Sequence, residues 1–455
     1  MVLELIHLPV IMLCVTSISY AVQTTYGRDL LSNRSSRIPG FYKLPIEERL
    51  KIVKEWANLT DEEVELLKNF GNLEPKIADA MVENVVGGMT YPFAIATNFR
   101  INGKDYLVPM VIEESSVVAA ASNAAKMLRE GDGIIAKAGP QYMIGQIHLV
   151  KVDSPHYKAF KILEKKHEIL DHANQQDPVL VRLGGGARDL EVRVVETRRG
   201  PAIIVHLIVD VLDAMGANAV NTMAEAIAPI LEKITGGEAR LRIISNYAVY
   251  RLVRAWARAS PEAVGGKEIV EKIVDASALA EADPFRAVTH NKGIMNGIIA
   301  VALATAQDHR AIEAGIHAYA ARDGTYKPLS IWDMDSEGYL IGTLELPLQI
   351  GIIGGAVKVH PIARIALKIL GVKKASELAE VMAAVGLAQN LAALRALVTE
   401  GIQRGHMKLH AKNLAIMAGA TGELIDKVAE QMVREGRIRF DYAKELVEKY
   451  KKQLQ

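Results

Sequence analysis

The sequence predicts an α+β chain: a large, mainly helical unit, a small α+β insertion within it, and a short helical tail. Three observations carry that prediction. Helical periodicity with Gly and Pro punctuation dominates residues 37–140 and again 246–400. Between them, residues 141–245 alternate β-rich apolar runs with helical segments. Residues 401–455 break into three amphipathic stretches separated by Gly419-Ala-Thr-Gly422 and by Gly436. A chain of 455 residues has room for two or three such units.

Residues 1–36 form an extension expected to be disordered or dispensable. Its apolar run, Leu8–Val15, is short for a bilayer span, and Glu4 stands where a signal peptide wants Lys or Arg. A dispensable extension, or one arising from an upstream start codon, is expected; a signal or anchor is the alternative. Helices follow at Pro45–Ala57, from the capping pattern Thr60-Asp-Glu-Glu63 to about Asn69, and at about Lys76–Asn84. Strands at Phe93–Ile101 and Tyr106–Ile112 flank Asn102-Gly103, a hairpin signal. An Ala-rich helix spans Ser115–Arg129. In the insertion, strands at Met143–Val150, Leu190–Thr197, Ala202–Val211 and Ala239–Asn246 alternate with helices at about Tyr157–Ala173 and Ala217–Ile234.

The charge balance is +1, so nothing points to a nucleic-acid partner. Beyond the first 22 residues no segment reads as transmembrane, and a membrane partner is not expected. The single cysteine, Cys14, allows no intrachain disulfide and fits a reducing, cytoplasmic compartment. It also excludes an acyl-cysteine intermediate in the body of the protein.

The run Asp213-Ala-Met-Gly-Ala-Asn-Ala-Val-Asn221 follows an apolar β-rich stretch and opens a helix. Strand, tight turn and helix N-terminus present free N–H groups and a positive dipole end to a phosphate. Gly216 and Ala217 allow close approach, while Asp213, Asn218 and Asn221 offer polar handles. The pattern is not GxGxxG, and an Ala-rich packed helix with an initial glycine is the plain alternative.

Other polar groups sit in apolar or small-residue settings. Glu113 and Glu114 end a hydrophobic strand, so one of them should face inward and carry a raised pKa. Acidic capping of the next helix is the alternative. Lys292, in His290-Asn-Lys-Gly-Ile-Met-Asn-Gly297, reads as a desolvated cation able to polarise a carbonyl. Asp308, placed near it, would hold that cation in position; an exposed lysine and a cap aspartate are the alternatives. His406 and His410 share a helical face, but Met407 stands where HExxH has Glu, so no metal is expected. A general-acid role suits such an imidazole. These pieces fit hydride transfer to a thioester without an acyl-enzyme.

Taken in order, Glu83-Asn-Val-Val-Gly87, Glu113-Glu-Ser-Ser116, Leu183-Gly-Gly-Gly-Ala-Arg-Asp189, Asp213–Asn221, His290–Gly297, Gly351-Ile-Ile-Gly-Gly355 and Arg404-Gly-His406 resemble the class II 3-hydroxy-3-methylglutaryl-CoA (HMG-CoA) reductases. The resemblance runs from about Arg37 to the C-terminus. It implies reduction of HMG-CoA to mevalonate and CoA by two NAD(P)H, through mevaldyl-CoA and mevaldehyde. The large unit becomes the HMG-CoA-binding domain, the insertion the nucleotide-binding domain, and the tail a flap that closes over the site.

By that resemblance Glu114 transfers a proton on the aldehyde side and Lys292 stabilises the oxyanion in both hydride steps. Asp308 couples to Lys292, and His406 protonates the departing CoA thiolate. Ser116, Arg286 and Asn296 would contact the HMG carboxylate or hydroxyl. Relatives carry an arginine after the residue matching Phe41, where this chain has Tyr42-Lys43, so Lys43 is the stand-in for a CoA phosphate contact. The nucleotide would meet Asp213, Met215, Gly216, Ala217, Asn218 and Asn246. Asp177 falls where an acid reads the adenosine ribose, which favours NADH over NADPH. A homodimer or dimer-based oligomer is implied, with active sites at the interface and Glu83–Gly87 in that junction. The same residues also serve mevalonate oxidation by NAD⁺ and CoA, and a non-catalytic CoA- or nucleotide-binding protein is the more remote alternative.

Overall fold

A computed structural model describes residues 34–71, 73–399 and 401–453, with the side chains of 402–409 and 453 excepted. Residues 1–33, including Cys14 and the apolar Leu8–Val15 run, lie outside the described residues. Among the described residues, ten strands form two sheets: β1 Phe93–Ile101, β2 Lys104–Val111, β3 Ile134–Ala138, β4 Tyr142–Val150, β5 Gly186–Thr197, β6 Gly200–Asp210, β7 Glu238–Ser245, β8 Leu252–Ala259, β9 Ser330–Met334 and β10 Leu340–Pro347.

The first sheet runs in the order β2-β1-β3-β8-β10-β9. Its β1–β2 hairpin turns at Asn102 and Gly103, whose φ values of 51° and 76° are both left-handed. A two-residue turn between right-twisted strands needs that geometry, and Asn-Gly supplies it. The 24-residue helix Ala375–Val398 packs on this sheet and is apolar nearly all round, as a helix enclosed in a core must be. It is the one described helix long and apolar enough to cross a membrane, and it lies mostly inside the protein.

Four strands depart from the sequence reading. β3, β8, β9 and β10 lie in stretches that read as helical or unassigned. In β8, Val253, Ala255, Ala257 and Ala259 face inward while Arg254, Trp256 and Arg258 face out. Alanine is a helix former by propensity, yet small side chains are what let the Ala375–Val398 helix seat on the sheet. Packing overrides propensity there.

The second sheet, β5-β6-β4-β7, is antiparallel throughout and built wholly from residues 142–245. One face carries a core of Met143, Ile147, Val205, Leu207 and Val209 against Val220, Ala224, Ile227 and Leu231 of the Ala217–Thr235 helix. The helix expected over Tyr157–Ala173 is two, Pro155–Glu164 and Lys166–Asn174. The Lys165 N–H bonds the Ile162 carbonyl, which tightens the turn and breaks the run.

Near the N-terminus, Thr60 and Glu63 complete the expected capping box at the start of Asp61–Lys68. The tail forms the three expected helices, Ile402–Met417, Glu423–Arg434 and Phe440–Gln453, around a core of their own.

Candidate active site

The end of the β1–β2 hairpin and the Pro284–Ala304 helix bring Glu114 and Lys292 into contact, and the loop after that helix carries Asp308. β2 ends at Val111, so Glu113 and Glu114 fall just past it in a turn. Glu113 is exposed and Glu114 half-buried. Glu114 Oε2 accepts a 3.3 Å hydrogen bond from Lys292 Nζ. Ser116 follows with φ 76°, a left-handed conformation that costs a non-glycine residue roughly 1–2 kcal/mol. Its side chain makes no cap bond to the Val117–Arg129 helix.

Arg286, Lys292 and Asn296 all belong to the Pro284–Ala304 helix, which Asp283 caps through the Phe285 N–H. Ala287, Asn291, Gly293, Ile294 and Met295 are buried on its inner faces. Lys292 itself points outward, with 61% of its side chain accessible, so it is not the desolvated cation expected from its small neighbours. Lys292 and Asn296 are four residues apart and share a face. Arg286 is half-buried, and among the described residues no hydrogen bond or ion pair to its guanidinium is found. Burial lowers its pKa. A half-desolvated guanidinium without a counterion fits a ligand carboxylate.

Asp308 stands at the N-cap of His309–Ala320, accepting from the Ala311 N–H at 3.1 Å and pairing with Arg310. No ion pair joins it to Lys292 among the described residues, so the expected Lys292–Asp308 couple is not formed. The cap and Arg310 hold the carboxylate instead. The preceding residue makes a closer link. Gln307 donates to the Gly351 carbonyl at 2.8 Å and accepts from the Gly351 N–H at 2.9 Å.

Gly351 in turn abuts the candidate nucleotide turn. The Ile352 N–H bonds the Asp213 carbonyl at 2.9 Å, and a Cβ on Gly351 would meet the Met215 nitrogen at 2.5 Å. The expected strand, turn and helix N-terminus are all present, from β6 to the 19-residue helix Ala217–Thr235. Gly216 takes φ 107°, and a Cβ there would strike Val211 at 2.6 Å, so only glycine closes this turn. Asn218 is exposed at the helix start, and the first amides of a helix have no partner within it. The turn therefore fits a pyrophosphate.

Two of its handles are used by the protein itself. Asp213 Oδ1 accepts the Ala375 N–H at 2.7 Å, and Asn221 Oδ1 accepts the Ile244 N–H at 2.8 Å. Leu212 (φ 50°) and Ala306 (φ 50°) are left-handed non-glycine residues beside Asp213 and Asp308, as Ser116 is beside Glu114. Such strain collects where surroundings hold a functional geometry.

Elsewhere, Asp177 caps the Pro178–Arg182 helix by accepting the Leu180 N–H at 2.9 Å. Asn246 is exposed after β7, and Met215 is half-buried in the turn. Lys43 is exposed, with Nζ 5.7 Å from the Tyr42 ring centroid. His406 lies on the Ile402–Met417 helix, and its side chain is outside the described residues.

Two buried groups escaped the sequence reading. Arg251 bonds the carbonyls of the candidate nucleotide turn, and no motif marks it. His290, two residues before Lys292, is buried, and Nε2 lies 2.7 Å from Ser330 Oγ. Ser330 Oγ donates to Asn390 Oδ1, which also accepts from Trp332 Nε1, a donor only. His290 Nε2 is therefore the protonated nitrogen, and its buried Nδ1 has no partner among the described residues. Desolvation, followed by the nearby Arg286 charge, lowers its pKa to about 4. A signal existed for His290: it falls with Ala287 and Ile294 on the helix's inward stripe.

The sequence matches the hydroxymethylglutaryl-coenzyme A reductase family over residues 45–411. It is 61% identical over 415 residues to 3-hydroxy-3-methylglutaryl-coenzyme A reductase of Archaeoglobus fulgidus, covering 91% of this chain and 95% of the relative. It is 36% identical over 383 residues to a probable reductase of the same name from Borreliella burgdorferi, covering 81% and 86%. A class II 3-hydroxy-3-methylglutaryl-CoA reductase from Streptococcus pneumoniae, solved bound to NADPH in open conformations, matches with TM-score 0.77 at 43% identity, covering 79% of this chain and 99% of that one. The chain belongs to the class II hydroxymethylglutaryl-coenzyme A reductases, NAD(P)H-dependent oxidoreductases that reduce HMG-CoA to mevalonate.

Proposed function

We propose that Glu114, Lys292, Asp308 and His406 divide the work of the two reductions, with NADH as the favoured reductant. The observation that carries this reading is the Lys292–Glu114 contact, together with Arg286 on the same helix, whose guanidinium has no protein partner among the described residues. Each bound nucleotide supplies one hydride. Lys292 Nζ donates to the oxygen on which negative charge develops. Glu114, already in contact with that ammonium, delivers the proton that completes the alcohol. His406 gives a proton to the CoA sulfur as it leaves, and the tail helices bring it there by closing as a flap. Asp308 orients Lys292 once substrate displaces the Glu114 contact.

Arg286 holds the HMG carboxylate with Ser116 and Asn296 beside it, and Lys43 reaches a CoA phosphate. The nucleotide lies on the 141–245 unit, with its pyrophosphate at Met215–Asn218 and Asn246 and Asp213 flanking it. Asp177 has one oxygen on the helix cap and a second to accept from a ribose 2′-hydroxyl; it repels a 2′-phosphate. The reductive direction is favoured over mevalonate oxidation because the relatives are named as reductases.

The working form is a homodimer or dimer-based assembly in the cytoplasm. Val86, within Glu83–Gly87, and the nearby Met89 are exposed, and Phe285 is exposed next to Arg286. Such apolar side chains beside a site are what a second subunit covers. That cover would supply the desolvation that Lys292 lacks in the single chain. Calorimetry tests the assignment: Arg286→Met should weaken HMG-CoA binding by about 2 kcal/mol or more, the cost of one charge-assisted contact, and spare nucleotide binding. Equal HMG-CoA affinity in the variant removes Arg286 from the site.

A further inference from the structure

Arg251 is fully buried, and no carboxylate lies within ion-pair distance of it among the described residues. Its donors go instead to Gln141 Oε1 (2.9 Å) and to three main-chain carbonyls: Met215 (3.0 Å), Ala214 (3.1 Å) and Ile350 (2.5 Å). Two of those carbonyls belong to the nucleotide turn and one to the loop that Gln307 clamps. Burying a cation without a counterion costs several kcal/mol, and a methionine would fill the space with no such cost. Desolvation draws Arg251 down to about 9, partly offset by Asp210 and Asp213, so it remains charged at neutral pH. What arginine adds over an apolar residue is a planar fork that fixes several carbonyls at once.

We propose that Arg251 is a positioning residue that sets the nucleotide turn and ties it, through Ile350, Gly351 and Gln307, to Asp308. A trans peptide points its N–H opposite its C=O. Holding the Met215 carbonyl inward therefore aims the Gly216 N–H away from Arg251, toward the helix N-terminus where a phosphate would bind. The same guanidinium fixes Ile350, whose neighbour Gly351 is bonded at both its N–H and its C=O by Gln307. The nucleotide site and the Asp308 loop thus share one brace. The inference rests on reading Met215–Asn218 as the nucleotide turn.

The test uses the full chain and two variants, Arg251→Lys and Gln307→Leu. A lysine keeps the charge but cannot span the three carbonyls. Arg251→Lys should speed amide exchange at residues 213–218 and 350–353 by about tenfold or more, with the core amides of β8 unchanged. It should also weaken NADH and NADPH binding by about tenfold while leaving the HMG-CoA KM within about twofold. Gln307→Leu should lower kcat by about tenfold and leave nucleotide affinity unchanged. Uniformly faster exchange across the chain, or unchanged nucleotide affinity in Arg251→Lys, overturns the proposal. If Arg251→Lys does not fold, an unchanged kcat in Gln307→Leu overturns it, and the selective kcat loss sustains it. Wild-type protein without HMG-CoA turnover would refute the proposed reaction, yet the exchange and affinity comparison would still decide the brace. Wild-type protein that binds neither nucleotide overturns both.

Discussion

Lys292 Nζ stands 3.3 Å from Glu114 Oε2, joining the face of a core helix to the end of an edge strand across 178 residues of sequence. Both side chains are accessible, at 61% and 40%, so the contact contributes little to stability. In the proposed mechanism its value lies in chemistry: the oxyanion donor and the proton source would meet at one point, with Arg286 on the same helix.

Lys292→Ala should lower kcat/KM by about 10²–10³ or more, the loss expected when one preorganised oxyanion donor is removed. Because the side chain is exposed, the melting temperature should stay close to wild type. Steady-state kinetics beside thermal denaturation checks both. An active, well-folded variant would remove Lys292 from the mechanism.

His406→Gln should impair HMG-CoA reduction far more than reduction of added mevaldehyde, since only the first requires CoA to depart. The loss on HMG-CoA should be about 10²-fold, within the range for general-acid catalysis. Equal losses with the two substrates would argue against the leaving-group role.

Asp177→Ala should shift the NADH-to-NADPH ratio of kcat/KM toward NADPH by about tenfold, through loss of a ribose acceptor and of repulsion toward a 2′-phosphate. The variant also loses the helix cap at Leu180, at about 1 kcal/mol of stability. A lower melting temperature with an unchanged cofactor ratio would leave Asp177 a cap and nothing more.

Much of this was legible from residue types. Asn102-Gly103 specifies its hairpin locally, and Gly216 marks the turn after β6, where no Cβ fits beside Val211. Glu114 and Lys292 stand out as charges in apolar or small-residue settings, whereas Arg286 was reached only through the family resemblance. β8 was not legible, because its inward alanines are chosen by a helix more than a hundred residues later. Asp308 was read as Lys292's partner, while local geometry gives it to Arg310 and the Ala311 N–H. Arg251 could not be found by pattern at all. Beyond Gln141, its partners are main-chain carbonyls 36, 37 and 99 residues away, which carry no sequence signature.

His290 predicts a pH dependence. Its pKa falls from 6.5 to about 4 on folding, so between those values the unfolded chain binds more protons than the native one. Stability from this group is complete above pH 6.5 and is lost as pH falls toward 4, by about 3 kcal/mol at most. His290→Gln keeps a donor for Ser330 without the titration, so its stability should fall less steeply over that window. Parallel denaturation curves at pH 7 and pH 5 check this; identical slopes would contradict it.

The most direct test of the central claim is HMG-CoA-dependent oxidation of NADH and of NADPH, followed by absorbance on purified protein lacking residues 1–35. The account predicts turnover with both nucleotides, faster with NADH, and two nucleotides oxidised per mevalonate formed. A folded, dimeric preparation that oxidises neither nucleotide would contradict it.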